Sequence, residues 1–379
     1  MDLICFSHLR WNFVYQRPQH LLTRFTSKYR VIIIEEPVMD AEIAFLNISS
    51  TKENIWIVVP HLVPGIDEDE KIMQQLNLLR TWVQNFGIIK YIGWFYTPMA
   101  LPLLEALPSA DIIVYDCMDE LSAFKGAAST IKEQESRLLS KADLVFTGGH
   151  SLYEAKRKFH SDIYPFPSSI DKNHFMKART AMSSPGDQIN VIHPRIGFFG
   201  VIDERFNIDL IDNLALLRPQ WQFILVGPVV KIDPCSLPLA ANIHYIGARP
   251  YEDLPSYLSG WDVALIPFAL NESTQFISPT KTPEYLAGGI PVVSSSIRDV
   301  VNPYGKLGLV YIANSVWEFI EGIEWGLKMR HNASWLEKVD TFLANVSWDI
   351  TWEQMSNLIS NKIAAKQNGK ITKNRNEYV

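Results

Sequence analysis

Residues 278–294 read Ser278-Pro-Thr-Lys-Thr-Pro-Glu-Tyr-Leu-Ala-Gly-Gly-Ile-Pro-Val-Val-Ser294: a loop, a short helix, a glycine stop and a buried strand in immediate succession. Pro279 or Thr280 opens the helix, because proline's fixed φ and missing N–H suit a first turn. Gly288 and Gly289 end it, since glycine enters the left-handed conformation at a helix C-terminus without steric penalty. The strand that follows is apolar without alternation, as a strand covered on both faces must be. A helix feeding directly into such a strand is half of a βαβ unit, so the stretch predicts an α/β fold with a parallel sheet.

The same alternation continues on both sides. Runs at 196–199, 223–226, 243–246, 263–266, 291–293 and 309–312 read as strands, with helices at 209–217, 253–258 and 282–287 between them. Earlier runs at 3–6, 31–34, 55–59, 91–95, 112–115 and 144–146 alternate with helices at 18–25, 69–86 and 130–140. The polar stretch SSPGDQIN breaks the rhythm between the two series. The expected organisation is a first Rossmann-like domain at 1–182, a linker at 183–192 and a second Rossmann-like domain at 193–345. Two or three amphipathic helices follow Ser315; one at 346–365 packs back on the body, and 366–379, rich in Lys and Asn, forms a mobile tail. Two such units in tandem predict parallel sheets facing a central cleft.

Composition narrows the function classes. The chain has 379 residues, 47% hydrophobic and 20% charged, which is ordinary globular usage and too long for one core. A formal net charge of −6 excludes phosphate-backbone binding as the main role, so no nucleic-acid partner is expected. The three cysteines, Cys5, Cys117 and Cys235, are far apart and offer neither a disulfide framework nor zinc spacing. The N-terminus lacks a secretory leader, and the apolar stretch 91–104 is interrupted by Pro98 and Pro102, so a cytoplasmic protein without a membrane span is expected.

The helix start within 278–294 carries the clearest chemistry. The N–H groups of Thr280, Lys281 and Thr282, with Ser278 before them and the Lys281 ammonium among them, suit an anion such as a diphosphate. Glu284, one turn on, has the geometry to accept hydrogen bonds from two vicinal hydroxyls of a ribose. This stretch resembles the donor-binding motif of retaining glycosyltransferases with the GT-B fold, especially glycosyltransferase family 4, in which a Glu heads a helix ending in Ala-x-Gly-x-Pro-Val-Val. The resemblance implies that Glu284 contacts the nucleotide ribose. The family's second carboxylate, eight residues earlier and next to the donor sugar, is here Phe276; Glu272 is the acid nearest upstream.

The run Ile196-Gly-Phe-Phe-Gly-Val-Ile-Asp-Glu-Arg205 is similar to the family's strand and loop at the head of the second domain. It assigns Gly200 to close approach of the phosphates and Arg205 to one of two phosphate-neutralising cations; Val201 stands where the family has the other. The resemblance continues through 242–267 and places Arg249, Pro250 and Tyr251 at the nucleotide base, Tyr251 by stacking. In the first domain, His8, Arg10, Trp11 and Arg17 lie after the first strand, and Asp116 and Asp119 at the end of another, positions that line the crevice of an α/β fold. The phrase RPQHLL resembles a bacterial polysaccharide subgroup, which casts these residues on the acceptor side, with Asp119 orienting the acceptor hydroxyl. Residues 166–175 resemble the family's interdomain hinge.

The implied function is sugar transfer from a nucleoside diphosphate, a UDP-sugar by expectation, to an acceptor hydroxyl, with retention and in surface polysaccharide or glycan synthesis. Asp119, Arg205 and Lys281 are the catalytic candidates, and the departing phosphate itself takes the acceptor proton in this family. No metal and no tightly bound cofactor is expected. A glycan or lipid-linked acceptor is the expected partner, with peripheral association at the inner face of a membrane allowed for. Two other readings stay open: a nucleotide-sugar epimerase on the same fold, and a catalytically silent homologue serving as a binding or scaffold subunit.

Overall fold

A computed structural model describes residues 1–180 and 182–376, without the side chains of 369–376. Its contacts group the chain into two compact units: Met1–Gly148 with Leu152–Phe166 and Asp349–Val379, and Gly149–Ser151 with Pro167–Trp348.

The first unit is built on a nine-stranded sheet. Its strands are β1 (Asp2–Ser7), β2 (Arg30–Glu35), β3 (Val38–Met39), β4 (Phe45–Ser50), β5 (Ile55–Leu62), β6 (Tyr91–Phe95), β7 (Ile112–Cys117), β8 (Leu144–Thr147) and β9 (Ile163–Pro165). They run in the order β3-β5-β2-β1-β6-β7-β8-β9, with β4 antiparallel on β5 and the other pairs parallel. The six strands read from the sequence are all present; β1 and β6 are buried at every residue, which explains their unbroken apolar character. β3, β4 and β9 were not foreseen. β4 is almost wholly exposed, so it never presents the apolar run by which a buried strand is recognised.

The second unit carries a six-stranded, all-parallel sheet in the order β12-β11-β10-β13-β14-β15. These are β10 (Arg195–Phe199), β11 (Gln222–Val226), β12 (Ile243–Gly247), β13 (Val263–Ile266), β14 (Val292–Ser295) and β15 (Val310–Ala313). The order turns at β10, so β10 and its neighbours β11 and β13 mark the switch point at whose carboxyl ends α/β folds bind ligands. Helix Val316–Met329 starts in a capping box of Ser315 and Glu318 and packs on β13, β14 and β15.

Three expectations about organisation change. The division falls after Phe166 rather than near 183, and the polar segment expected as a linker is fastened into the second unit. Gln188 is fully buried, donates to the Tyr257 carbonyl at 3.1 Å and accepts from Trp261 Nε1 at 2.9 Å. Its polarity serves buried hydrogen bonds, which composition alone does not distinguish from solvation. The last helix runs Trp348–Asn376, so residues 366–376 of the expected tail are helical, while 377–379 lie outside the described residues. That helix belongs to the first unit from Asp349 onward, held there by Arg24 on Asp349 at 2.6 Å, Lys28 on Ser356 at 2.7 Å and Lys366 on Asp143 at 2.9 Å.

Candidate functional site

Residues from the carboxyl ends of β10, β11 and β13 and from helix Lys281–Ala287 meet within the second unit. Tyr285 fixes the helix: its hydroxyl accepts from the Phe199 N–H at 2.9 Å and donates to the Phe199 carbonyl at 3.3 Å. The helix is thereby pinned to the last residue of β10, directly before Gly200. Gly200 has φ +136, and a Cβ built there would lie 2.2 Å from Lys281 Cε and 2.5 Å from Nζ. Only glycine therefore lets the lysine lie across this turn. Gly227, after β11, has φ +148, and a Cβ on it would come within 1.9 Å of the Gly200 carbonyl oxygen. The two strand ends are packed backbone to backbone.

Lys281 Nζ lies over the rings of Phe198 and Phe268, 5.6 and 5.7 Å from their centroids. Glu284, 5% exposed, sits one turn further along the same helix. Among the described residues neither the Lys281 ammonium nor the Glu284 carboxylate makes a hydrogen bond or an ion pair. Burial lowers Lys281 to about 8, helped by the charge of Arg205 and opposed by Glu284 and Asp203. Burial raises Glu284 to about 7, opposed by Lys281. Buried polar groups in folded proteins are nearly always satisfied. A half-buried lysine and a buried glutamate with no side-chain partner among the described residues are prepared for something that binds.

The other residues singled out from the sequence fall into three groups. Arg205 reaches this site electrostatically, but its guanidinium is paired with Asp203, Nε to Oδ1 at 3.0 Å and Nη2 to Oδ2 at 2.6 Å. Ser278 accepts from the Ser168 N–H at 3.3 Å through its hydroxyl and from the Ser168 hydroxyl through its carbonyl, so the 167–169 segment flanks the helix start. The Thr282 N–H, expected to be available, donates to the Pro279 carbonyl at 3.2 Å; the Thr282 hydroxyl is buried without a partner. Thr280 accepts the Glu284 N–H at 3.3 Å and so opens the helix with its backbone, not its side chain.

Arg249 and Tyr251 are engaged in contacts of their own. Arg249 pairs with Asp187 at 2.6 Å and donates to the Tyr257 hydroxyl at 2.8 Å. Tyr251 has one ring face covered by His174, centroids 4.4 Å apart and nearly parallel, and its carbonyl accepts from His174 Nε2 at 3.0 Å. Phe276 is partly buried and Glu272 is exposed.

In the first unit, Arg17 and Asp116 form a buried bidentate pair, with Nη2 to Oδ1 at 2.8 Å, and Arg17 Nη1 also donates to the Phe166 carbonyl at 2.7 Å. Their charges are directed at each other. Arg10 is partly exposed and donates to Glu35 at 3.0 Å and to the Glu36 carbonyl at 2.6 Å. The Trp11 N–H donates to Glu35 at 2.7 Å and its carbonyl accepts from Gln19, so the loop after β1 is stapled to the end of β2. His8 and Asp119 are partly exposed. Asp119 adds to the negative field that raises Arg17.

Sequence reasoning did not find Gly227, Tyr285, Phe198 or Phe268. A Val226-Gly227-Pro228 turn after a strand was the available signal for the first; the aromatic platform under Lys281 has none, because its members are far apart in sequence. Among the described residues no group of three or more His, Cys, Asp and Glu could hold a metal ion, and no helix is long and apolar enough to cross a membrane.

Residues 193–328, which contain Gly200, Gly227, Lys281, Glu284 and Tyr285, match the family described as "Glycosyl transferases group 1". The segment is similar to that family over about a third of the chain. The chain is 25% identical over 248 residues to the "Putative teichuronic acid biosynthesis glycosyltransferase TuaH" of Bacillus subtilis, covering 60% of this chain. The match spans 59% of that relative's length. Among solved structures, sucrose-phosphate synthase from Thermosynechococcus elongatus superimposes with a TM-score of 0.70 at 15% identity, covering 96% of this chain and all of the other. An E. coli structure described as "Trehalose-6-phosphate from E. coli bound with UDP-2-fluoro glucose" gives a TM-score of 0.66 at 13% identity, covering 96% of this chain and 99% of that one. The chain has the GT-B fold, an α/β architecture with parallel sheets in two units. The matched segment carries Lys281 and Glu284, without side-chain partners among the described residues, at the switch point of its sheet.

Proposed function

We propose that the chain is a glycosyltransferase that takes a sugar from a nucleoside diphosphate, a UDP-sugar first among candidates, and joins it with retention to an acceptor hydroxyl in surface polysaccharide synthesis. The observation that carries this is the pair of half-buried Lys281 and buried Glu284, without side-chain partners among the described residues, beside Gly200 in a segment that matches the group 1 glycosyltransferase family. Departure of a nucleoside diphosphate builds negative charge, and a fixed cation with little water around it stabilises that charge at no reorganisation cost. Lys281 supplies the cation and Arg205 a second, partly screened one. Glu284 accepts from the ribose hydroxyls. The UDP-2-fluoro glucose bound in one structural neighbour and the teichuronic acid role in the name of the Bacillus relative support the donor and pathway assignments. In this reading the second unit holds the donor, and His8, Arg10, Trp11 and Asp119 of the first serve the acceptor, with the Arg17–Asp116 pair as their support.

Phe276, where the related motif has a carboxylate, favours one rival: a homologue that binds nucleotide sugars without transferring them. Incubating the chain with UDP-, ADP- and GDP-sugars, with and without oligosaccharide acceptors, separates the readings. Acceptor-dependent release of nucleoside diphosphate is expected. Binding without release under every combination would establish the silent reading instead.

A further inference from the structure

Lys281 is enclosed by groups that are committed elsewhere. The loop after β10 brings Arg205 and Asp203, but the Asp203 carboxylate is held by Arg205. Phe198 and Phe268 offer ring faces only. Its own helix brings Glu284, which is itself buried and forms no ion pair with it among the described residues. Among the described residues the cation therefore has no ion pair, Asp203 being held by Arg205 and Glu284 acting on it only through its charge. We infer that a nucleoside diphosphate enters this site together with a proton, which Lys281 takes up. This rests on the nucleotide-site reading above and adds to it a coupling between binding and protonation.

The sign follows from the surroundings. Burial and the Arg205 charge hold Lys281 at about 8, and burial holds Glu284 at about 7. At pH 8 the Lys281 ammonium is half populated and Glu284 is mostly ionised. A terminal phosphate with its last ionisation near ~6 is already fully charged there, so it brings no proton of its own. Opposite charge placed against the lysine favours the ammonium and raises its pKa. Binding at pH 8 should then take up about half a proton per site, and affinity should be about eightfold weaker at pH 9 than at pH 7.5 for a group titrating near 8.

The test is calorimetric titration of UDP into the full chain at pH 8 in three buffers of different ionisation enthalpy, followed by affinity measurements from pH 7.5 to 9. A buffer-dependent heat reporting proton uptake, with the loss of affinity above pH 8, is the expected result. Lys281→Met should abolish the uptake; uptake that persists in this variant overturns the assignment to Lys281. UDP binding with no buffer dependence and flat affinity overturns the coupling while leaving the nucleotide site standing. Absence of binding by UDP and by ADP overturns the site and the coupling together. The wild-type titration decides the question even if the variant fails to fold.

Discussion

Gly200 shows how a single missing side chain shapes the site. Its φ of +136 disfavours any other residue, and the first atom of a side chain would displace the Lys281 ammonium. Gly200→Ala is expected to weaken UDP binding roughly tenfold or more, about 1.4 kcal/mol, as read by calorimetry. Glu284 bears on stability as well as binding. Because its carboxyl is raised to about 7, its contribution to stability is full below the ordinary carboxylate range and is lost as pH rises through about 7. At pH 8 the folded state thus carries a costly buried charge. Glu284→Gln should raise Tm at pH 8, by roughly 2–4 °C per kcal/mol relieved, and leave it nearly unchanged near pH 4. A lower Tm at pH 8 would show that the carboxylate has a structural partner. Both Lys281 and Glu284 were legible in the sequence, because they lie three residues apart on one helix start. Gly227 and the Phe198 and Phe268 rings were not, because only the folded sheet brings them to that helix.

Elements with a uniform environment were legible, and those at a boundary were not. Foreseen strands such as β1, β6, β10 and β13 are buried at every residue and announce themselves as apolar runs. β4, exposed along an antiparallel edge, carries polar residues that read as loop. The same limit applies to ionisable side chains: Arg17 and Asp116 looked like crevice residues because each follows a strand or opens a helix, yet they are 99 residues apart and neutralise each other. Removing one leaves the other as an isolated buried charge, which typically costs about 3–5 kcal/mol. Asp116→Ala should lose stability of that order in urea denaturation, whereas an effect confined to catalysis would return the pair to the acceptor site.

At the scale of the molecule, sequence rhythm identified two α/β units but not where the chain divides between them. The segment at 183–192 is polar yet anchored by Gln188, and the final helix returns to the first unit, a placement fixed by Trp352 packing near Phe25 with ring centroids 6.1 Å apart and by lysine contacts distributed along its length. Truncation after Trp348 should strip hydrogen-exchange protection from helix Arg17–Phe25 and leave β10 protected; equal loss in both would mean that the helix supports the whole chain rather than one unit. The account as a whole stands on nucleotide recognition by the second unit. Its most direct measurement is titration of UDP and ADP into the wild-type chain and Glu284→Ala at pH 7.5. Saturable one-to-one binding, weakened roughly tenfold or more by the substitution, is predicted. Equal affinity in the two proteins, or no binding to the wild type, would contradict it.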